Sequence, residues 1–319
     1  MNDGLVITLI VSGIVYGTPL LIAGLGELLA ERSGVLNLGI EGMMLIGAMA
    51  GFWISQTIGG PAWSAIVLAL VVAMIAGALM ALIHAFVTVT LRGNQVVSGL
   101  ALTIFGGAVG LSSYLAQVGK LADHSGKHQI GKIDVLGLHD LPIVGPILFH
   151  QDAIVYLSWA LVIGVMLYLH HTRPGLHVRA VGEEPRAADS MGVNVVRYRY
   201  VHTMVGGALA GLAGAYYSLA ITPTWTNGIT AGAGWIALAL VIFAFWRPGL
   251  VLVGAYLFGV VTSLGFNLQA HGVHLPPELF ASLPYLMTIG VLVLISSVWA
   301  KRRLGQPAAL GTPYVRDEH

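Results

Sequence analysis

Residues 62–90 read AWSAIVLALVVAMIAGALMALIHAFVTVT, without a single Asp, Glu, Lys or Arg. About 20 apolar residues in α-helix cross roughly 30 Å of hydrocarbon, so this run is long enough to span a bilayer. Working outward from it, comparable runs lie at 5–30, 35–55, 95–117, 152–171, 198–221, 233–246, 249–268 and 278–300. The run 233–246 is short, and 35–55 opens on the Gly-rich stretch Gly34-Val-Leu-Asn37-Leu-Gly-Ile-Glu41-Gly42. Either reads as a broken or re-entrant segment. The expected fold class is an all-α polytopic membrane protein of about nine transmembrane helices, with eight or ten as the bounds.

The composition agrees. Of 319 residues, 56% are apolar and 9% charged, and the mean hydropathy is +0.83. An ordinary soluble domain carries about 25% charged residues, so this chain has too few to cover a water-facing surface. The net charge of +1, with no basic stripe, excludes nucleic acid as a main partner. The absence of Cys excludes disulfides and thiolate metal sites. Met1-Asn2-Asp3 lacks the positive region of a signal peptide, and the run that follows has no cleavage-like tail before Glu31-Arg32, so it reads as a retained first span.

Positive charge orients the chain. With the loop 172–199 and the carboxy end inside, every Arg from Arg32 to Arg316 lies inside or at an inner boundary, as does Lys301. Lys120, Lys127 and Lys132 remain outside, in the loop 118–151. That asymmetry follows the positive-inside rule and puts the amino terminus outside and the carboxy terminus in the cytoplasm. The domain organisation expected is a transmembrane domain over 1–300 and a cytoplasmic tail over 301–319. The run Gly206-Gly207-Ala-Leu-Ala-Gly211-Leu-Ala-Gly214 carries small residues at four-residue spacing, which lets helix backbones approach closely. Two weakly similar halves, each with a Gly-interrupted segment (34–42 and 228–234), hint at a duplicated transporter design.

The inner loop 172–199 is the most informative polar stretch. Pro174-Gly175 is expected to end the preceding helix. Pro185 suits the first turn of a new helix and Gly192 its carboxy-terminal cap, giving about two turns between two spans. Ala187 and Met191 share one face of it, and Glu184 and Ala188 another.

The segment Gly182-x-Glu184-Pro185-x-Ala187-Ala188-x-x-x-Gly192-Val193 resembles the coupling segment of bacterial ABC-importer permeases, in the branch that carries branched-chain amino acids, ribose-type sugars and nucleosides. Many members have Asn where this chain has Glu184. Ser33-Gly-Val-Leu-Asn37-Leu-Gly-Ile-Glu41-Gly42 is very like the nucleoside-permease members. Asn94-Gln95-Val-Val-Ser98-Gly99-Leu100 and Gly232-Ala-Gly234-Trp235-Ile-Ala237-Leu-Ala239, ending at Arg247-Pro248-Gly249, are further matches in family order. The resemblance implies a type II-like importer arrangement in the bacterial inner membrane. It also implies a second permease as homo- or heterodimer partner, a cytoplasmic ATP-binding subunit that holds ATP and Mg, and an external substrate-binding protein. No cofactor is then expected on this chain, and Gly182, Glu184, Pro185, Ala187, Ala188, Met191 and Gly192 become the residues coupling it to the ATPase. The expected solute is a nucleoside, with a sugar or branched-chain amino acid as the alternatives and an ion-coupled secondary transporter as the rival mechanism.

Inside the apolar runs, a charged side chain at a helix centre costs about 2.5–3.5 kcal/mol on insertion scales, so Glu41 needs a partner, a cavity or other protein around it. It either lines a translocation path with Asn37, four residues earlier, or caps local backbone. Glu27 and Glu31 read as solvated at the inner interface. Asn94 and Gln95 either cap a helix start or face the pathway. Trp225 and Asn227, on the outer side, are candidates for stacking on and hydrogen bonding to a solute, or for interfacial anchoring.

Other motifs fail on chemistry. Gly126-Lys-His-Gln-Ile-Gly131-Lys132 resembles a phosphate loop, but Ile133 stands where the magnesium-binding Ser or Thr belongs. His170-His171 and the pair His271/His274 lack carboxylates at ligand spacing, and His124, His128, His139 and His150 read as solvating the outer loop. No metal site, catalytic triad or nucleophile is expected, and the chain is read as a transport subunit rather than an enzyme.

Overall fold

In the computed structural model, residues 3–59, 61–124, 126–134, 137–138, 141–270, 276–295 and 305–316 are described. His139, His271, His274, Lys301, Arg302 and Arg303, all used in the sequence reading, lie outside them.

Long apolar runs become long helices. These are α1 (Asp3–Arg32, continuing through Pro19), α3 (Ala62–Ala85, continued by a π-turn Phe86–Thr90), α6 (Ala153–His171), α9 (Val195–Tyr216, continued by a π-turn Tyr217–Ile221) and α11 (Pro248–Ala270). Glycine punctuation breaks the others. The expected span 95–117 divides into α4 (Gln95–Gly106) and α5 (Leu111–Val118) around Gly107–Gly110, where the Ser112 hydroxyl donates to the Gly107 carbonyl at 2.8 Å. The expected span 35–55 begins as helix only at Ile40: α2 (Ile40–Thr57) follows a non-helical run from residue 33. The expected 233–246 is the short α10 (Ala233–Phe243), and α12 covers Pro277–Ile295.

Among the described residues, six helices are long and apolar enough to cross a membrane: Val6–Arg32, Ala62–Thr90, Gln95–Val118, Ala153–His171, Val195–Ile221 and Pro248–Gln269. The chain is thus a predominantly helical, multi-pass membrane protein. The expected count of nine full spans is not reproduced among the described residues: the helix of 35–55 begins only at Ile40, α10 is short, and the expected 278–300 runs past the described residues. The all-α expectation also needs one correction. The outer loop holds a two-stranded antiparallel ladder, β1 (Lys132–Asp134) on β2 (His150–Asp152), with Ile133 opposite Gln151. His150 bonds Asp134 across it, so this histidine has a carboxylate partner.

The centre is α9, packed by α1, α2 and α3. Its glycines set the spacing as their pattern predicts: Gly206 backs onto Gly26, Gly207 onto Gly77, Gly211 onto Ala73 and Gly47, and Gly214 onto Met44. A Cβ on Gly214 would overlap the Met44 carbonyl oxygen, a backbone atom that cannot rotate away. Gly214→Leu is therefore expected to part α2 from α9 at a cost of at least about 3 kcal/mol. A detergent-solubilised variant that melts within a degree or two of the parent would contradict this.

Polar residues pin the helix ends. Asp152 caps α6, its Oδ1 accepting the N–H groups of Ile154 (2.8 Å) and Val155 (3.0 Å). Its Oδ2 accepts the hydroxyl of the fully buried Tyr216 on α9 at 2.5 Å. At the carboxy-terminal end of α1, the expectation for Glu27 and Glu31 is overturned: both are buried, each 1% exposed. Glu31 accepts the indole N–H of Trp246, and Arg32 Nη2 donates to the Trp246 carbonyl at 3.0 Å. Glu31 and Arg32 thus join the end of α1 to the turn that follows α10.

Candidate functional site

Two stretches of non-helical backbone lead into α2 and α10, and where they are buried their polar groups must find partners within the protein, since lipid offers none. The first is 33–39. The Leu36 N–H donates to Gln95 Oε1 at 2.7 Å, and the Asn37 N–H to Glu27 Oε1 at 3.0 Å. The Leu36 carbonyl is bonded by His84 Nε2 at 3.0 Å, and the Leu38 carbonyl accepts the Thr103 hydroxyl at 2.7 Å. The Asn37 side chain folds back to accept the Gly39 N–H at 3.1 Å. A carbonyl only accepts, so His84 carries its proton on Nε2, and Nδ1 accepts from the Ser98 hydroxyl 3.0 Å away. Side chains from α1, α3 and α4 thus clamp a break in the chain.

The second stretch is 222–232, leading into α10. Here Glu41, buried at 7% exposure, reaches across from the first turn of α2. Its Oε1 accepts the Thr230 hydroxyl (2.6 Å) and the Gly232 N–H (3.0 Å), and its Oε2 accepts the Gly234 N–H (2.6 Å). Gly232 is the left-handed N-cap of α10, with φ +81°, so the carboxylate caps another helix's positive end. A Cβ on Gly234 would come within 2.6 Å of the Glu41 backbone, which is why that position is glycine. The two Gly-interrupted segments noticed in the sequence therefore meet, joined by one carboxylate. Beyond the junction, α10 runs along α1, with Ala237 against Gly24.

The six residues singled out as pathway candidates are not gathered in one place. Asn37 and Gln95 belong to the first clamp, Asn94 caps α4 by accepting the Val97 N–H at 3.0 Å, and Glu41 forms the junction. Trp225 is buried in the core and Asn227 is exposed at a turn. Sequence reading passed over His84, Thr103 and Thr230, and it left Glu27 at a solvated interface. The available signal was an ionisable group inside an apolar run: His84 interrupts 62–90 and Glu27 interrupts 5–30.

In the loop between α6 and α9, Pro174-Gly175 does not close a helix. α6 stops at His171, and Pro174 enters the first turn of a new helix, α7 (Arg173–Glu183), where its missing N–H costs nothing. Thr172 Oγ1 caps it by accepting the Gly175 N–H at 3.1 Å. α8 follows (Pro185–Ser190), and Gly192, at φ +82°, closes it. Ala188 is buried against Val181 and Val195, whereas Glu184, Ala187 and Met191 face outward, Met191 at 83% exposure. Gly182 is buried, and its carbonyl accepts the Ala309 N–H at 2.8 Å.

The stretch that resembled a phosphate loop makes no strand–loop–helix. Gly126 N–H donates to Pro223 O (2.8 Å) and Ile130 N–H to Leu219 O (3.0 Å), so it lies along the end of α9.

Six apolar helices able to cross a membrane, a buried carboxylate of α2 that holds the start of the short α10, and a short helix set to one side are features of a multi-pass transport protein. The match to a family model described as "Branched-chain amino acid transport system / permease component" runs over residues 9–292, and the chain belongs to that family. Among curated relatives, the putative glucose ABC transporter permease protein TsgC13 of Haloferax volcanii is 40% identical over 94% of this chain and 95% of its own length. The guanosine ABC transporter permease protein NupQ of Bacillus subtilis is 35% identical over 95% of each chain. The nucleoside ABC transporter permease protein NupC of Lactococcus lactis is 35% identical over 96% of each.

Proposed function

We propose that this chain is the membrane-spanning permease subunit of an ATP-driven importer for an uncharged, hydroxyl-bearing solute, a nucleoside in the first place. The observation that carries this reading is the α7–α8 segment. It projects an exposed Met191 and Ala187 on the side where the Arg residues gather, and it stands on a buried base of Val181, Ala188 and Val195. An exposed apolar side chain on a rigid stub is what a docking contact requires.

In this reading a separate ATPase subunit binds ATP and Mg, and α8 transmits its motion to α6 and α9. Gly182, Glu184, Pro185, Ala187, Ala188, Met191 and Gly192 form the coupling element. Glu184, Ala187 and Met191 touch the partner, and the others hold the element in place. A second permease completes a type II-like pair, and an external binding protein delivers the solute. The protein sits in the inner membrane with its carboxy terminus in the cytoplasm, 1–300 forming the membrane domain and 301–319 the tail. Asn37, Gln95 and Asn94 serve the pathway by holding the backbone breaks, and Glu41 by fixing the start of α10. Trp225 and Asn227 shape its outer approach. A sugar is the second reading, favoured by the identity to the glucose permease relative.

Reconstitution with the ATPase and binding protein tests this. Guanosine should accumulate in vesicles only when ATP is supplied on the ATPase side, and not in vesicles holding this chain alone. Uphill transport by the isolated chain would refute the reading.

A further inference from the structure

A cavity of about 520 Å³ opens beside the Glu41 junction, bordered by α1, α10, α11, α12 and the π-turn that ends α9. Its walls are aromatic. Tyr16 and Phe266 stack with centroids 5.4 Å apart and planes 14° from parallel, and Tyr285 stands on another side, anchored by its hydroxyl to the Ala231 carbonyl at 2.8 Å. Phe266 and Tyr285 keep 57% and 46% of their surface free. The polar groups on the wall are neutral: Thr222, Thr262 and Gln269 among them. Among the described residues no Asp, Glu, Lys, Arg or His lines it, and the carboxylate of Glu41 is turned into its three hydrogen bonds. The size falls in the ordinary range for small-molecule sites, about 300–1,000 Å³. A π-turn in the wall is also a frequent mark of function.

We infer that this cavity is a solute-selecting site within the permease chain itself, for an uncharged ligand carrying a flat heteroaromatic ring and hydroxyls. A zwitterionic amino acid would bury two charges against neutral walls, which is costly without counter-charges. A planar base instead meets an aromatic wall that includes Phe266 and Tyr285, with hydroxyl and amide partners for its ribose. This rests on the permease reading and adds that the external receptor is not the sole source of selectivity.

The test uses the complete importer in vesicles and measures guanosine imported per ATP hydrolysed. Phe266→Ala should lower that ratio about tenfold, the change expected for loss of one stacked ring, while hydrolysis stays within about twofold of the parent. Phe266→Trp should retain most of it. Unchanged import per ATP in Phe266→Ala overturns the site, as does import of glucose or leucine in place of guanosine by the parent importer. Absence of ATP-dependent import of all three solutes would instead remove the permease reading beneath it.

A second inference comes from a different place. Residues 305–316, read from sequence as a tail, lie across the inner face as a strap. The Ala309 N–H donates to the Gly182 carbonyl (2.8 Å), and the Ala308 N–H to Glu183 Oε2 (3.3 Å). The Thr312 carbonyl accepts Nη1 of the buried Arg199 (3.0 Å), Tyr314 packs on the Val181–Ala188–Val195 cluster, and Arg316 pairs with Asp189 at 3.1 Å. The geometry points to a brace that ties α7 and α8 to the inner end of α9, so that a push on α8 moves the membrane helices. Removal of residues 305–319 should speed amide exchange at Ala188 and Gly192 by at least about tenfold, and it should lower import per ATP severalfold with normal membrane levels. Unchanged exchange, or unchanged coupling, overturns it.

Discussion

Ala187→Arg is expected to abolish ATP-driven uptake while the chain remains folded in the membrane. Ala187 faces outward on α8 beside Met191 and makes none of the buried contacts of the helix, so the arginine extends into water in the free chain. It meets resistance only when the ATPase closes on the stub, where a bulky cation replaces a methyl group in a fitted contact. Uptake and ATPase co-purification should fall together, to background, with an unchanged melting temperature for the isolated chain. Ala188→Arg makes the informative contrast. By helical spacing the two alanines are equal docking candidates, but Ala188 is 4% exposed and packed on Val181 and Val195. Arginine there disrupts the base of the stub, so coupling and local stability should both be lost. Normal uptake by Ala187→Arg would mean that this face touches no partner.

Glu41→Ala carries the second large effect. It deletes the acceptor for two backbone N–H groups and one hydroxyl, all inside the bundle. A buried donor left unpaired costs about 1–3 kcal/mol, and three share this fate, although water entering from the cavity side can relieve part of it. The start of α10 should loosen, with a fall in melting temperature of several degrees and near-complete loss of transport. Glu41→Gln keeps one accepting oxygen but turns an amide donor toward N–H groups, so it should fall between the parent and alanine. Transport by Glu41→Ala at the parental rate would show that the junction is dispensable.

Much of this was open to reading from residues. An apolar run such as 62–90 has no option but a buried or lipid-facing helix, and the small residues at 206, 207, 211 and 214 have few uses other than close helix contact. Pro185 and Gly192 bracket α8 because one lacks an N–H and the other tolerates positive φ. These are properties of a residue and its immediate neighbours. The distribution of Arg likewise gives an expected orientation without reference to any fold.

Other features depend on what arrives from far along the chain. Nothing near Glu41 says that its carboxylate caps a helix beginning 192 residues later at Ala233, or that Glu31 will meet Trp246. Hydropathy treats Glu27 and Glu31 as edge residues because it counts each side chain against solvent, and it cannot see the donors that make their burial tolerable. The split between Ala187 and Ala188, the strap over α7 and the aromatic cavity have the same origin. Periodicity limits which faces a helix offers, but only the packing of its neighbours decides which face is covered, because burial is a property of the assembled surface and not of the residue.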